Sequence, residues 1–156
     1  MAMLATGIGS MQSSIIPIYD GTQGSIMQQT VELDDDVKTL AFDYNFLSEE
    51  PPEWVGTQYN DTFRVEILDL NGVVVETVVY ESVNTSTWYA NPTVNGVWFT
   101  VGYSTGRPVY QTGWTSVTVD IGKYAGQTVT LRFLVYDLGD RQYDSAVLID
   151  NARIGY

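Results

Sequence analysis

Two groups of acidic residues could do chemistry in this chain. From Asp137 the sequence runs Asp-Leu-Gly-Asp-Arg-Gln-Tyr-Asp-Ser-Ala-Val-Leu-Ile-Asp, which puts four carboxylates within fourteen residues. The last of them, Asp150, rides on an apolar run. A second group, Glu49, Glu50, Glu53, Asn60 and Asp61, occupies a segment that leaves an alternating apolar stretch. Carboxylates that are clustered or withdrawn from water need positive charge beside them. The chain has little to give: Lys and Arg total 7 against 19 Asp and Glu, with no His. A hard divalent cation supplied from outside meets the need. Calcium suits it best, because it accepts carboxylate, amide and backbone carbonyl oxygens in a flexible cage. Glu50, Asp61, Asp137 and Asp144 are the leading candidate ligands, with Glu49, Asn60 and Asp140 beside them. Gly139 permits the sharp turn that a close-set oxygen cage requires. Asp150-Asn151 reads equally well as a turn or edge position bonded to backbone, and Asp34-Asp35-Asp36 reads as a solvated turn.

Aromatic residues form a third group. Trp54 and Tyr59 lie within the acidic loop, and Trp88, Tyr89, Trp98, Phe99, Tyr103, Tyr110 and Trp114 follow further on. Trp and Tyr bury large areas and keep a polar handle, which suits them to the apolar faces of sugars. The same residues also build sandwich cores. Trp88 and Tyr89, set among Asn, Thr and Ser, are expected to face outwards, and Trp114, just before a strand, to face inwards. Trp54, Tyr59, Trp88 and Tyr89 are the candidate ligand-facing rings.

Catalysis finds little support. Glu49 and Glu50 are adjacent, and neighbours on an extended chain point apart. No facing pair for glycoside hydrolysis can therefore be assigned. Without His a Ser-His-Asp triad is impossible. Without His or Cys the usual zinc sets and thiol chemistry are gone. A phosphate-binding glycine loop is also absent.

The elements that must position these groups read as strands almost throughout. Leu40, Phe42, Tyr44 and Phe46 alternate with Ala41, Asp43 and Asn45, and Phe63, Val65 and Ile67 with Arg64 and Glu66. Val117, Val119 and Ile121 repeat the pattern, as do Val129, Leu131, Phe133 and Val135, and Val147-Leu148-Ile149 leads to a final strand reaching Ile154. Asn71-Gly72 predicts a tight hairpin before Val73-Val74-Val75, and Asn95-Gly96 a second turn. Gly122 to Gly126 predicts a short helical or irregular crossover. Ile15-Ile16-Pro17-Ile18 reads as an edge strand, since Pro17 removes one ladder donor. Many short strands without helices predict an all-β antiparallel β-sandwich of jelly-roll type, with a closed barrel as the alternative.

A chain of 156 residues with 44% hydrophobic content is expected to form a single domain over residues 1–156. Its net charge of −12 and sequence pI of about 4.1 argue against nucleic-acid and anionic-membrane partners. An acidic surface also fits a high-salt source, but that does not explain local clustering. No apolar run has membrane length. The start, Met1-Ala-Met-Leu-Ala, has neither the basic residues nor the apolar segment of a signal peptide. It reads as the beginning of a domain excised from a larger surface or secreted protein.

The segment from Phe42 to Phe63, with Ser48-Glu49-Glu50, Pro52-Glu53, Val55-Gly56 and Asn60-Asp61, resembles a pattern of bacterial surface and secreted β-sandwich domains of the choice-of-anchor type. The end of the chain, Val135-Tyr-Asp-Leu-Gly-Asp140 through Tyr143-Asp-Ser-Ala-Val-Leu-Ile-Asp150-Asn, is similar to the closing strands of that group. Adhesin ligand-binding domains and carbohydrate-binding modules have a comparable character. The resemblance covers roughly residues 40 to 70 and 112 to 154, and departs from the pattern at Pro51, where an aromatic often stands. It implies that the two acidic groups share one end of the sandwich. The expectation is therefore a calcium-dependent or calcium-stabilised module at a bacterial surface or outside the cell, a monomer that binds a glycan or another surface ligand. A calcium-rigidified spacer of a large adhesin is the alternative, and a carboxylate-based glycan-active enzyme comes third.

Overall fold

The computed structural model describes residues 1–7, 19, 21–90, 93–94, 97–98, 108–139 and 142–156, with backbone alone at 93–94 and 97–98. Two antiparallel sheets face each other, and among the described residues there is no α-helix. Sheet 1 contains β1 (Ala2–Ala5), β12 (Ser145–Gly155), β3 (Thr39–Ser48), β9 (Tyr110–Gln111) and β6 (Tyr89–Ala90), in that order. β10 (Thr115–Asp120) also pairs with β3, in the register Thr115 to Tyr44 and Asp120 to Thr39. Sheet 2 runs β2 (Gly24–Glu32), β11 (Thr128–Tyr136), β4 (Thr62–Leu68), β5 (Val74–Ser82). The chain crosses between sheets from β1 to β2, β2 to β3, β3 to β4, β5 to β6, β10 to β11 and β11 to β12, which gives the expected sandwich. A separate two-stranded ribbon pairs β7 (Thr93–Val94) with β8 (Val97–Trp98).

The period-two patterns supply the core. Phe42, Tyr44 and Phe46 of β3 and Val147 and Ile149 of β12 meet Phe63, Val65 and Ile67 of β4 and Phe133 and Val135 of β11. Phe42 meets Phe133 edge to face at 5.2 Å between ring centroids, and Tyr44 meets Phe63 at 5.1 Å. Ala146 and Leu148 point the other way and are buried with Leu47 and Val109. That explains why the start of β12 reads as a continuous apolar run rather than an alternating one.

The turn chemistry matches the expectations. Asp69 accepts backbone N–H bonds from Asn71 at 2.8 Å and Val73 at 2.9 Å, while Gly72 takes a φ of 77°. Gly122–Tyr124 forms a single 3-10 turn. Asp34, Asp35 and Asp36 are solvated. The expected edge strand at 15–18 and the turn at 95–96 lie outside the described residues.

Two placements differ from expectation. Trp114 is 51% exposed, because the edge strand β10 begins one residue later and nothing covers its start among the described residues. Trp88, expected to face outwards, is partly buried against Phe46 at 5.3 Å, and its ring N–H donates to the Val83 carbonyl at 2.9 Å. The polar neighbours that suggested exposure form a turn instead: Ser86 bonds back to the Ser82 carbonyl and to Glu81.

An acidic cage at one end of the sandwich

Both acidic groups meet at one end of the molecule. β3 ends at Ser48 and delivers Glu49 and Glu50; Asp61 precedes β4; Asp137 follows β11; Asp144 precedes β12. Strand pairing sets this convergence. Ser48 lies opposite Ser145, and Thr62 opposite Tyr136, so the next residue on each strand falls at the same rim. All five acids are buried: Glu49, Glu50, Asp61 and Asp137 are 1% exposed and Asp144 is 3% exposed.

Their hydrogen bonds stitch the rim together. Asp61 accepts from the Leu138 N–H at 3.1 Å and, with its other oxygen, from the Ser145 hydroxyl at 2.7 Å. Glu49 Oε2 lies 3.4 Å from the Asp144 N–H, and the Glu49 N–H donates to the Asp144 carbonyl at 3.2 Å. Glu50 Oε2 lies 3.5 Å from the Asp61 N–H. Asp137 differs from the rest, because neither of its carboxylate oxygens has a hydrogen-bond partner. Thr6, Asp61 and Gln23 lie near enough to favour its charge without reaching bonding geometry. Thr6 joins the rim directly: its hydroxyl accepts from the Ser145 N–H at 2.9 Å.

The electrostatics follow from burial. Desolvation is the main force on Asp137, pushing it up to about 6, and Asp144 adds to the rise. Asp61 is raised well above the carboxylate range, first by burial and then by the charges of Asp137 and Glu50. Three of the chain's described cations are committed elsewhere. Arg132 and Arg64 reach Glu66 on sheet 2 at 2.6 and 2.9 Å. Lys123 pairs with Glu76 at 3.0 Å.

The other candidates fall around the cage. The Asn60 side-chain oxygen accepts from the Asn84 N–H at 2.8 Å, tying the acidic loop to the turn after β5. Glu53 is exposed, and Asp140 lies outside the described residues. Asp150 sits away from the rim beside a β-bulge, bridged to the N-terminal amine at 3.2 Å, while Asn151 takes a φ of 54°. This is the edge position bonded to backbone that the sequence left open. Gly139 has a φ of 104°, and a Cβ there would stand 2.9 Å from the Tyr59 ring and 3.0 Å from the Gln58 carbonyl. The two acidic loops therefore touch at Gly139.

Trp54 and Tyr59 lie over this end, half-buried and edge to face at 5.2 Å, and Tyr143 stacks near Trp54 at 6.2 Å. Tyr89 is 58% exposed on β6. The sequence reading passed over Tyr143 and Ser145, although both flank Asp144 directly, and over Thr6, whose distance in sequence hid its role. A separate cavity of about 440 Å³ opens between Met27, Val31, Leu131, Phe133 and Ile154, near Leu40 at the opposite end of β3.

As the side chains stand, no three acidic groups among the described residues gather closely enough to hold one ion. The residue types nonetheless fit calcium. Oxygen donors are concentrated in one desolvated place, Asp137 offers a buried carboxylate with no hydrogen-bond partner, and backbone carbonyls lie close by.

The molecule is thus an antiparallel β-sandwich with a buried acidic rim. No family model and no curated protein matches the chain. Among solved structures it is similar to a Family 16 Carbohydrate Binding Module-2, at 14% identity and a TM-score of 0.36, over 88% of this chain and 73% of that one. A second is the enzymatically active domain of bacteriophage CBA120 tailspike protein 4, at 13% identity and a TM-score of 0.30 over 85% of this chain. The match spans only 14% of the tailspike chain. At these scores neither likeness bears on activity. Among the described residues no helix is long and apolar enough to cross a membrane.

Proposed function

We propose that this domain is a bacterial extracellular or cell-surface recognition module, clamped by calcium at one end of its sandwich and binding a glycan. The supporting observation is Asp137: buried, without a hydrogen-bond partner, and set beside the buried Asp61. Folding that carboxylate away from water is costly unless a cation meets it. The chain's part is to present oxygens from four strand ends, to exclude water, and to hold Asp61 in place through Ser145 and Leu138. Bound calcium would supply the positive charge that fixes these strand ends to one another.

The depth of the acids favours a clamp over an open coordination position for sugar hydroxyls. Ligand contact then falls to the rings over the cage, Trp54 and Tyr59, with Tyr143 between the loops and Tyr89 on the edge of sheet 1. A glycan array probed with and without calcium tests this reading. The expected result is binding that Trp54→Ala abolishes and that a chelator weakens by loosening the loop. Absence of binding to any glycan in either condition would sink the recognition role. It would leave the spacer reading, which the closed cage supports equally.

A further inference from the structure

We propose that the cleft between β12 and β2 takes an extended strand of a partner protein, with apolar side chains at alternate positions. The proposal is independent of the calcium and glycan readings. β1 shows how such a segment is held. It pairs antiparallel with β12, from Ala2 opposite Ile149 to Ala5 opposite Ala146. Leu4, opposite the buried Val147, packs on the core. On the other side of β1, the Ala5 carbonyl accepts from the Ser25 hydroxyl of β2. β1 thus closes this side of the sandwich, but only as far as Ile149.

β12 runs on to Gly155. From Arg153 to Gly155 it pairs with β3 along one edge, and no described strand pairs with the other. Across the gap lies β2, the end strand of sheet 2, with Gln28, Gln29 and Thr30 exposed. Between these two edges opens the cavity of about 440 Å³, with Met27, Leu131, Phe133 and Ile154 in its lining. The bulge between Asp150 and Arg153 sets Ala152 on the same lining, where its single methyl group leaves the space unfilled.

Edge and floor together fix the occupant's chemistry. An unpaired strand edge presents backbone N–H and C=O groups, which recognise another backbone. An apolar floor selects apolar side chains on every second residue of that backbone. β2 carries no Pro and no charge before Glu32, so it lacks the usual devices that block strand addition. A second copy of the chain is the poorer occupant. Every described strand already has a pairing partner, which leaves none to donate, and two chains of net charge −12 repel one another.

The test is a titration of the full 156-residue chain with a short synthetic peptide that alternates valine with threonine and ends in lysine on both sides. NMR and amide hydrogen exchange follow it. Saturable shifts are expected at Met27 and Ile154, with slowed exchange in residues 152 to 155. N-methylation of the peptide's central amides removes its backbone donors and should weaken binding about tenfold or more. Ala152→Trp, which fills the cleft from an exposed position, should weaken it comparably. Equal binding of the N-methylated peptide would overturn strand addition and leave only an apolar pocket. Failure of both peptides to bind overturns the inference. So does self-association of the chain that Ala152→Trp abolishes, since the occupant is then a second copy. The comparison of the two peptides needs no variant, so it decides the matter even if Ala152→Trp fails to fold.

Discussion

At the scale of single residues, the cage makes stability depend on pH in a direction opposite to most acidic proteins. Asp137 has its carboxyl raised to about 6 when folded, against an ordinary value of 3.8. Such a group favours the folded state while it is protonated. That contribution is fully present below about pH 4 and is lost as pH rises through about 6. In chelated buffer the melting temperature should therefore fall by several degrees between pH 5 and pH 7.5, and added calcium should restore it. A flat melt across that range in chelator would contradict this account. Trp88 gives a contrasting prediction. Trp88→Ala removes a ring packed on Phe46 and should cost about 3 kcal/mol in urea unfolding without changing calcium uptake. Residue type alone singled out Glu49, Glu50, Asp61, Asp137 and Asp144, which are all buried. That the two groups share one end was implied only by the resemblance of the two segments. Trp88 and Trp114 were misplaced because ring burial depends on what lies across the sheet, which local polarity does not report.

At the scale of elements, the loops matter through backbone conformation. Gly139→Ala places a Cβ against the Tyr59 ring and the Gln58 carbonyl at a positive φ. It should destabilise by about 1–3 kcal/mol and lower calcium affinity, whereas Gly56→Ala, also strained at a φ of 85° but with nothing within 4 Å of the added carbon, should cost stability without lowering calcium affinity. Asp69→Ala deletes the acceptor of two turn N–H groups and should cost about 1 kcal/mol in the same assay. The central strands were readable because each has one face in the core. β1 and β2 were missed or only touched. Ala2–Ala5 is too short for a period, and β2 carries Gln28, Gln29 and Thr30 as an edge strand with little to bury.

For the whole molecule, the net charge of −12 sets a background of self-repulsion. Sodium chloride should raise the melting temperature modestly by screening, whereas micromolar to millimolar calcium should raise it further at constant ionic strength. Equal effects from calcium and magnesium would point to screening alone, since magnesium demands a tighter octahedral shell. The rim also governs when the molecule can be finished. Its parts come from Thr6 near the start, from the strand ends around Glu49 and Asp61, and from Asp144 and Ser145 near the end. On a ribosome the links that Ser145 makes to Thr6 and Asp61 wait for β12, which is inserted between β1 and β3. Closing the rim is therefore a long-range event that follows the pairing of β12 with β3.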